Sequence, residues 1–131
     1  MHKVLSNVKS ASVCLTRDIF LSFSIDVEYE DFGCQDIGHL ILCSPNPNKD
    51  TKDNSMDRVG TAYGAEMIRR LFLFFGVTDL SNVKNQYIYV IKENDSWNSK
   101  VIGIENIDFE VNKHNLKSIM FNEVFEEFKT K

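Results

Sequence analysis

The chain is expected to fold as an α+β single domain, an antiparallel sheet of about five strands packed with a central helix and a C-terminal helix. Three observations carry that expectation. Apolar and polar residues alternate without a break from Ile19 to Tyr29, apolar residues recur three and four apart between Ala65 and Gly76, and a second helical stripe runs from Leu116 to Phe128.

In the first of these, Ile19, Leu21, Phe23, Ile25, Val27 and Tyr29 take one face of a strand. Phe20, Ser22, Ser24, Asp26, Glu28 and Glu30 take the other, as in a half-buried antiparallel strand. Upstream, Ala11, Val13 and Leu15 alternate, and the polar Thr16-Arg17-Asp18 joins the two as a hairpin. A third strand is expected over Gly38 to Cys43. Ser44 to Asp57 is polar and holds both prolines, so it reads as a loop that could act as a lid over whatever lies at the following helix.

That helix opens on Gly60, Thr61 and Gly64, and Gly76 is placed to stop it in the left-handed conformation. Its core stripe is expected to be Ala65, Ile68, Leu71, Phe72 and Phe75, with Leu73 and Phe74 widening the apolar girth. So broad an apolar surface implies burial between two elements or at a subunit interface. A helical turn over Asp79 to Asn82 leads to a strand at Tyr87 to Ile91, a turn from Asn94 to Ser99 and a strand at Val101 to Ile107. The tail places Leu116, Met120 and Val124 beside Phe121, Phe125 and Phe128 on an amphipathic helix.

A chain of 131 residues suits one core, and ten phenylalanines are too many to leave in water. The formal charge of -4 argues against binding duplex DNA, which needs a broad basic face. Cys14, Cys34 and Cys43 are odd in number and lack C-x-x-C spacing, so reduced thiols are expected rather than zinc or a disulfide framework. The longest apolar run, LFLFFGV, is too short to cross a bilayer, and MHKVLSNVKS has no signal-peptide core. A cytoplasmic protein with no membrane partner is the expectation.

Catalytic signatures are missing from the sequence: no Walker loop, H-E-x-x-H, nucleophile elbow or G-x-G-x-x-G occurs. His2, His39 and His114 stand in no relation to a cysteine or serine that would make a nucleophile and its base. No catalytic residue, metal or cofactor is therefore expected, and Asp26, Glu28 and Glu30 are explained by solvation of a polar strand face. What the sequence does offer is an anion site. Arg58, Gly60, Thr61, Arg69 and Arg70 surround a helix start whose first N–H groups lack intrahelical partners. Trp97, in a polar turn, can stack a nucleobase or fold back over the hairpin edge. Asn106 can read a base edge or a ribose hydroxyl, or make a structural hydrogen bond.

Several separated motifs resemble a family of small phage and prophage proteins. Phe32-Gly33-Cys34-Gln35-Asp36-Ile37-Gly38-His39 is similar to its F-G-G-Y-x-I-G-H segment, and Gly64 to Val77 to its G-x-E-x-I-x-x-I-x-x-x-x-G-V helix. Lys84 to Val90 is similar to L-K-G-K-Y-V-R-V, and Trp97 with Ile102 to Ile107 to G-W-G and I-G-N-I, so the likeness spans about three-quarters of the chain. Leu80, Asn85 and Tyr89 depart from the family's tryptophan, glycine and arginine. The Thoeris anti-defence sponge proteins of the first described type stand in or near this family. The resemblance implies an α+β homo-oligomer, built from dimers and up to a hexamer, that captures a cyclic nucleotide messenger of the cyclic ADP-ribose kind without cleaving it. Arg58, Arg69 and the helix start at Gly60 and Thr61 would then meet phosphate, Trp97 would stack adenine and Asn106 would bond a polar edge, with Lys84 a further ligand-binding residue. The alternative is a protein–protein inhibitor of a host defence nuclease complex, anti-CRISPR-like, using the acidic sheet face and the 44–57 loop; an enzyme that hydrolyses a nucleotide comes third.

Overall fold

A computed structural model of the chain describes residues 1–16, 20–30, 33–45, 58–96, 98–107 and 116–129. Strands β1 (His2–Thr16), β2 (Phe20–Tyr29) and β3 (Gly33–Ile41) lead to a small ribbon of β4 (Cys43–Pro45) and β5 (Arg58–Gly60). Helix α1 (Ala62–Phe75) and a 3₁₀ turn (Leu80–Asn82) follow. Strands β6 (Gln86–Lys92), β7 (Val101–Asn106) and β8 (Ser118–Met120) run into helix α2 (Phe121–Phe128). The expected α+β domain is present, with six strands in its main sheet in the order β3-β2-β1-β6-β7-β8, each pair antiparallel.

Strand β1 is twice the length expected because a bulge between Val8 and Ser10 resets its alternation. Val4, Ser6 and Val8 before the bulge and Ala11 and Val13 after it all face the core, although their parity differs. On β2 the expected alternation holds: Phe23, Ile25, Val27 and Tyr29 are buried, while Asp26 and Glu28 are exposed. Strand β3 starts five residues earlier than expected, at Gly33, and ends at Ile41. It bends at Gly38, whose φ of 106° and closeness to the Phe23 ring and carbonyl exclude a side chain. Leu42 then leaves the strand for the core, its N–H donating to the Leu21 carbonyl at 2.8 Å. Ser44 and Pro45 belong to β4, and the rest of the expected loop, 46–57, lies outside the described residues.

Thr61 caps α1 and Gly76 ends it with φ 66°, both as its sequence suggests. The buried stripe differs from the one expected. Tyr63, Gly64, Met67, Leu71, Phe74 and Phe75 are buried, Ile68 and Phe72 flank the core, and Ala65 is exposed. Gly64 decides this rotation: a Cβ there would lie 2.0 Å from the Leu42 carbonyl oxygen, so the helix backbone rests directly on the chain entering β4. The tail also differs. Ser118–Met120 pairs with β7 as an edge strand before α2 begins, because Gly103 has no side chain to keep the Met120 main chain and thioether away. Phe121 packs edge-on against Phe23 at 5.6 Å, and Phe125 against Tyr63 at 5.2 Å, so α2 lies beside α1 on the same side of the sheet. No helix among the described residues is long and apolar enough to cross a membrane.

In an exposed helix, replacing Gly64 by alanine would gain about 1 kcal/mol of helix propensity. Here the backbone contact with Leu42 reverses the sign, and Gly64→Ala is expected to cost about 3 kcal/mol, read as a lower urea midpoint at unchanged m-value.

Candidate functional site

Three of the candidate binding residues meet at the junction of β5 and α1. They are held there by the protein itself. Arg58 donates from Nε to Cys43 Sγ at 3.1 Å and from Nη2 to the Cys43 carbonyl at 2.9 Å, and its guanidinium lies 4.8 Å from the Phe20 ring centroid. Thr61 Oγ1 accepts from the Gly64 N–H at 2.9 Å and donates to the Leu42 carbonyl at 3.0 Å. Gly60 pairs with Cys43 across the ribbon. At this helix start Thr61 and Arg58 bond within the chain and Gly64 packs on Leu42, so all three help to seat the helix on β4.

The other candidates do not join them. Asn106 sits near the opposite end of α1, about 20 Å away along the helix axis. Its side-chain N–H groups donate to the Phe74 carbonyl at 2.9 Å and the Leu116 carbonyl at 2.7 Å, and the residue is 4% exposed. Phe74 lies in the last turn, where helix carbonyls lack partners, so Asn106 acts as a side-chain cap delivered from the sheet. It offers no donor to a ligand. Arg69 is exposed and paired with Glu66 at 3.3 Å, whereas its neighbour Arg70 bonds Glu66 at 2.7 Å, reaches Glu127 at 3.4 Å and lies over the Phe128 ring. The hydrogen bond to Glu66 holds the Arg70 guanidinium above its ordinary pKa. Lys84 is exposed beside Asn85, whose φ of 55° takes the left-handed turn expected of it. Trp97 lies outside the described residues. Cys14, Cys34 and Cys43 are free thiols, and among the described residues no three His, Cys, Asp or Glu side chains group as metal ligands.

An accessible feature lies elsewhere, on the sheet face that no described helix covers. Register fixes its rows: Glu28, Asn7 and Tyr87 stand side by side on β2, β1 and β6, and Leu5, Tyr89 and Glu105 on β1, β6 and β7. Leu5 and Tyr87 are exposed, the latter at 58%. Lys3 spans part of the face, bonded to Glu105 at 2.7 Å and 6.0 Å from the Tyr89 ring centroid. A cleft of about 420 Å³ opens here, lined by Leu5, Asn7, Glu28, Tyr29, Glu30 and Tyr87. Towards β3 the face is polar, with Ser10 donating to Asp26 at 2.9 Å and Ser24 donating to Asp36.

Leu5, Asn7 and Tyr87 were not among the residues that sequence patterns single out. Their signal was present in the alternation of Val4, Ser6 and Val8, but Ser6 interrupts its apolar face and the bulge interrupts its period. No protein family, curated protein or solved structure matches the chain.

Asn106→Ala is expected to lower stability by about 2–4 kcal/mol, since it strands two carbonyls that the asparagine serves. The measurement is denaturant unfolding, with Asn106→Asp as a second variant that keeps the volume while losing the paired donors. A pH effect follows from Tyr29, whose phenol donates to Gln35 at 2.7 Å and is pushed by burial from 10.0 up to about 12. The fold favours the neutral phenol. Its contribution is fully present below pH 10, where the unfolded chain begins to lose the proton, and disappears as pH rises through about 12. Alkaline unfolding curves should therefore fall less steeply for Tyr29→Phe than for the parent chain.

Proposed function

We propose that the chain is a non-enzymatic capture protein of phage or prophage origin, acting in the host cytoplasm on a bacterial defence pathway by holding one of its components. The observation that carries this proposal is the sheet face that no described helix covers, with its cleft. An apolar and aromatic centre at Leu5, Tyr87 and Tyr89, bordered by Asp26, Glu28 and Asp36, has the make-up of a surface that recognises protein. The geometry thus favours inhibition of a defence protein, such as a nuclease complex, by occupation of its surface. Binding energy alone suffices for that, without a reacting group.

A second reading is capture of a cyclic nucleotide messenger, such as a cyclic ADP-ribose isomer, by a homo-oligomer. Its support is the family resemblance and the grouping of Arg58, Gly60 and Thr61 at one junction. Because Arg58 and Thr61 already bond to Cys43, Leu42 and Gly64, phosphate would have to be met by main chain at Gly60 together with cations from a second copy.

In bacteria defended by a nuclease complex that the chain blocks, expression should restore plaque formation, and the protein should co-purify with that complex. Leu5→Asp combined with Tyr87→Ala should lose both effects at unchanged melting temperature; retention of both would sink the protein-capture reading. A large rise in melting temperature with a cyclic ADP-ribose isomer, with the ligand released intact on heating, would favour the messenger reading instead. Release of a cleaved product would make the protein an enzyme.

A further inference from the structure

We propose that the cleft across β2, β1 and β6 binds a guanidinium, the arginine side chain of a protein partner. This rests on the open face being the working surface. The cleft is built from acceptors and ring faces. Glu28 and Glu30 bring carboxylates from one side, Tyr87 brings a largely exposed ring from the other, and Leu5 and Asn7 form the floor between them. Tyr29, between the two glutamates in sequence, has its own ring in the core. The Asn7 Oδ1 is buried and without a hydrogen-bond partner, so it lies beneath the floor and the accessible acceptors of the cleft are the glutamate carboxylates.

A ligand matched to this set must be cationic, flat enough to lie against a tyrosine ring, and rich in N–H donors. Guanidinium meets each demand, with a planar fork for carboxylate, a face for the ring and a three-carbon stem that can lie along Leu5. Phosphate fails on charge. A primary ammonium supplies charge but neither the plane nor the fork. The surrounding charge points the same way. Asp26 and Asp36 stand directly opposite each other on β2 and β3, a like-charge pairing that costs stability in a sheet, and Glu28 continues their row. Lys9 is drawn to the cleft's acidic wall, its Nζ 3.7 Å from Glu28 with both side chains more than two-fifths exposed, and the buried Lys92 lies 4.8 Å from the Tyr29 ring centroid. The exposed Lys9–Glu28 pair is weak and readily exchanged for a better donor.

The test is titration of the ¹⁵N-labelled full chain with end-blocked Gly-Arg-Gly, and with the same peptide carrying lysine or neutral citrulline. Saturable shifts of the Asn7, Glu28 and Tyr87 amides are expected with arginine, weaker ones with lysine and none with citrulline. Glu28→Gln and Tyr87→Ala should each weaken binding roughly tenfold, and Lys9→Ala should tighten it. Glu28, Lys9 and Tyr87 are exposed, so their variants should fold. Absence of saturable shifts with arginine, equal binding of citrulline or lysine, insensitivity to both weakening variants, or occupation of the same amides by cyclic ADP-ribose would each overturn the proposal. If the open-face double variant loses protection while the arginine peptide does not bind, protein capture stands and the guanidinium site falls.

Discussion

The seating of α1 on the sheet is the constraint from which the rest of the structure follows. At its start, Gly64 brings helix backbone against the Leu42 carbonyl, and Thr61 ties the same carbonyl into the helix cap. At its end, Asn106 reaches from β7 to the Phe74 carbonyl and also gathers in Leu116. Two fixed ends determine both the rotation and the position of the helix. Met67, Leu71 and Phe74 then have one place to go, between the sheet and α2, and the remaining apolar flank at Ile68 and Phe72 closes against the margin of the same core.

With both described helices on one side, the main core is completed there, and no described helix packs on the opposite face of the sheet. That asymmetry explains the composition of the strands. On β2 the core face is wholly apolar or aromatic, while the other face, after Phe20 at its start, carries serine and carboxylate. A sheet face that needed only to be wet would be uniformly polar, yet Leu5, Tyr87 and Tyr89 cluster on it across two neighbouring strands. Ile91 lies on the same face, between Lys3 and Gly103 in register, and is buried, so this end of the face is closed while the Leu5 and Tyr87 end is open.

The fold class was legible in the sequence because its main signals are local: the unbroken alternation of β2, the Thr61 and Gly76 caps, and the hairpin of β6 and β7. Three features were hidden by non-local causes. A bulge after Val8 splits β1 into two half-strands of opposite parity, so simple alternation shows only the second. The face of α1 is set by a glycine's partner twenty-two residues earlier, which no count of apolar spacing can reveal, since the helix is apolar around much of its girth. The residues Ser118–Met120 fit a helical stripe as well as a strand, and the choice is made by Gly103 on the neighbouring strand. The candidate site was harder still. Arg58, Thr61 and Asn106 carry the right chemistry for a nucleotide, and each spends it on backbone carbonyls or a thiol of its own chain.

The same accounting separates what the family-like motifs mean for shape from what they mean for ligand. Gly38 is required by its positive φ and by Phe23, Gly64 by Leu42, Gly76 by the left-handed helix end, and Asn106 by the unsatisfied last turn. Each of these motif positions has a sufficient reason in the folding of the chain. Residues with such reasons can persist among proteins that bind quite different things, because a binding surface may change while the scaffold's close approaches cannot. Specificity is then to be sought where no folding role competes. In this chain the face that no described helix covers meets that condition best: Tyr87 and Glu28 are exposed there, Lys9 holds the Glu28 carboxylate only loosely, and Asp26 and Asp36 stand directly opposite each other. A domain of net charge -4 that concentrates carboxylates beside an aromatic patch would, on the proposed reading, draw a cationic partner by its long-range field and hold it by short-range contacts.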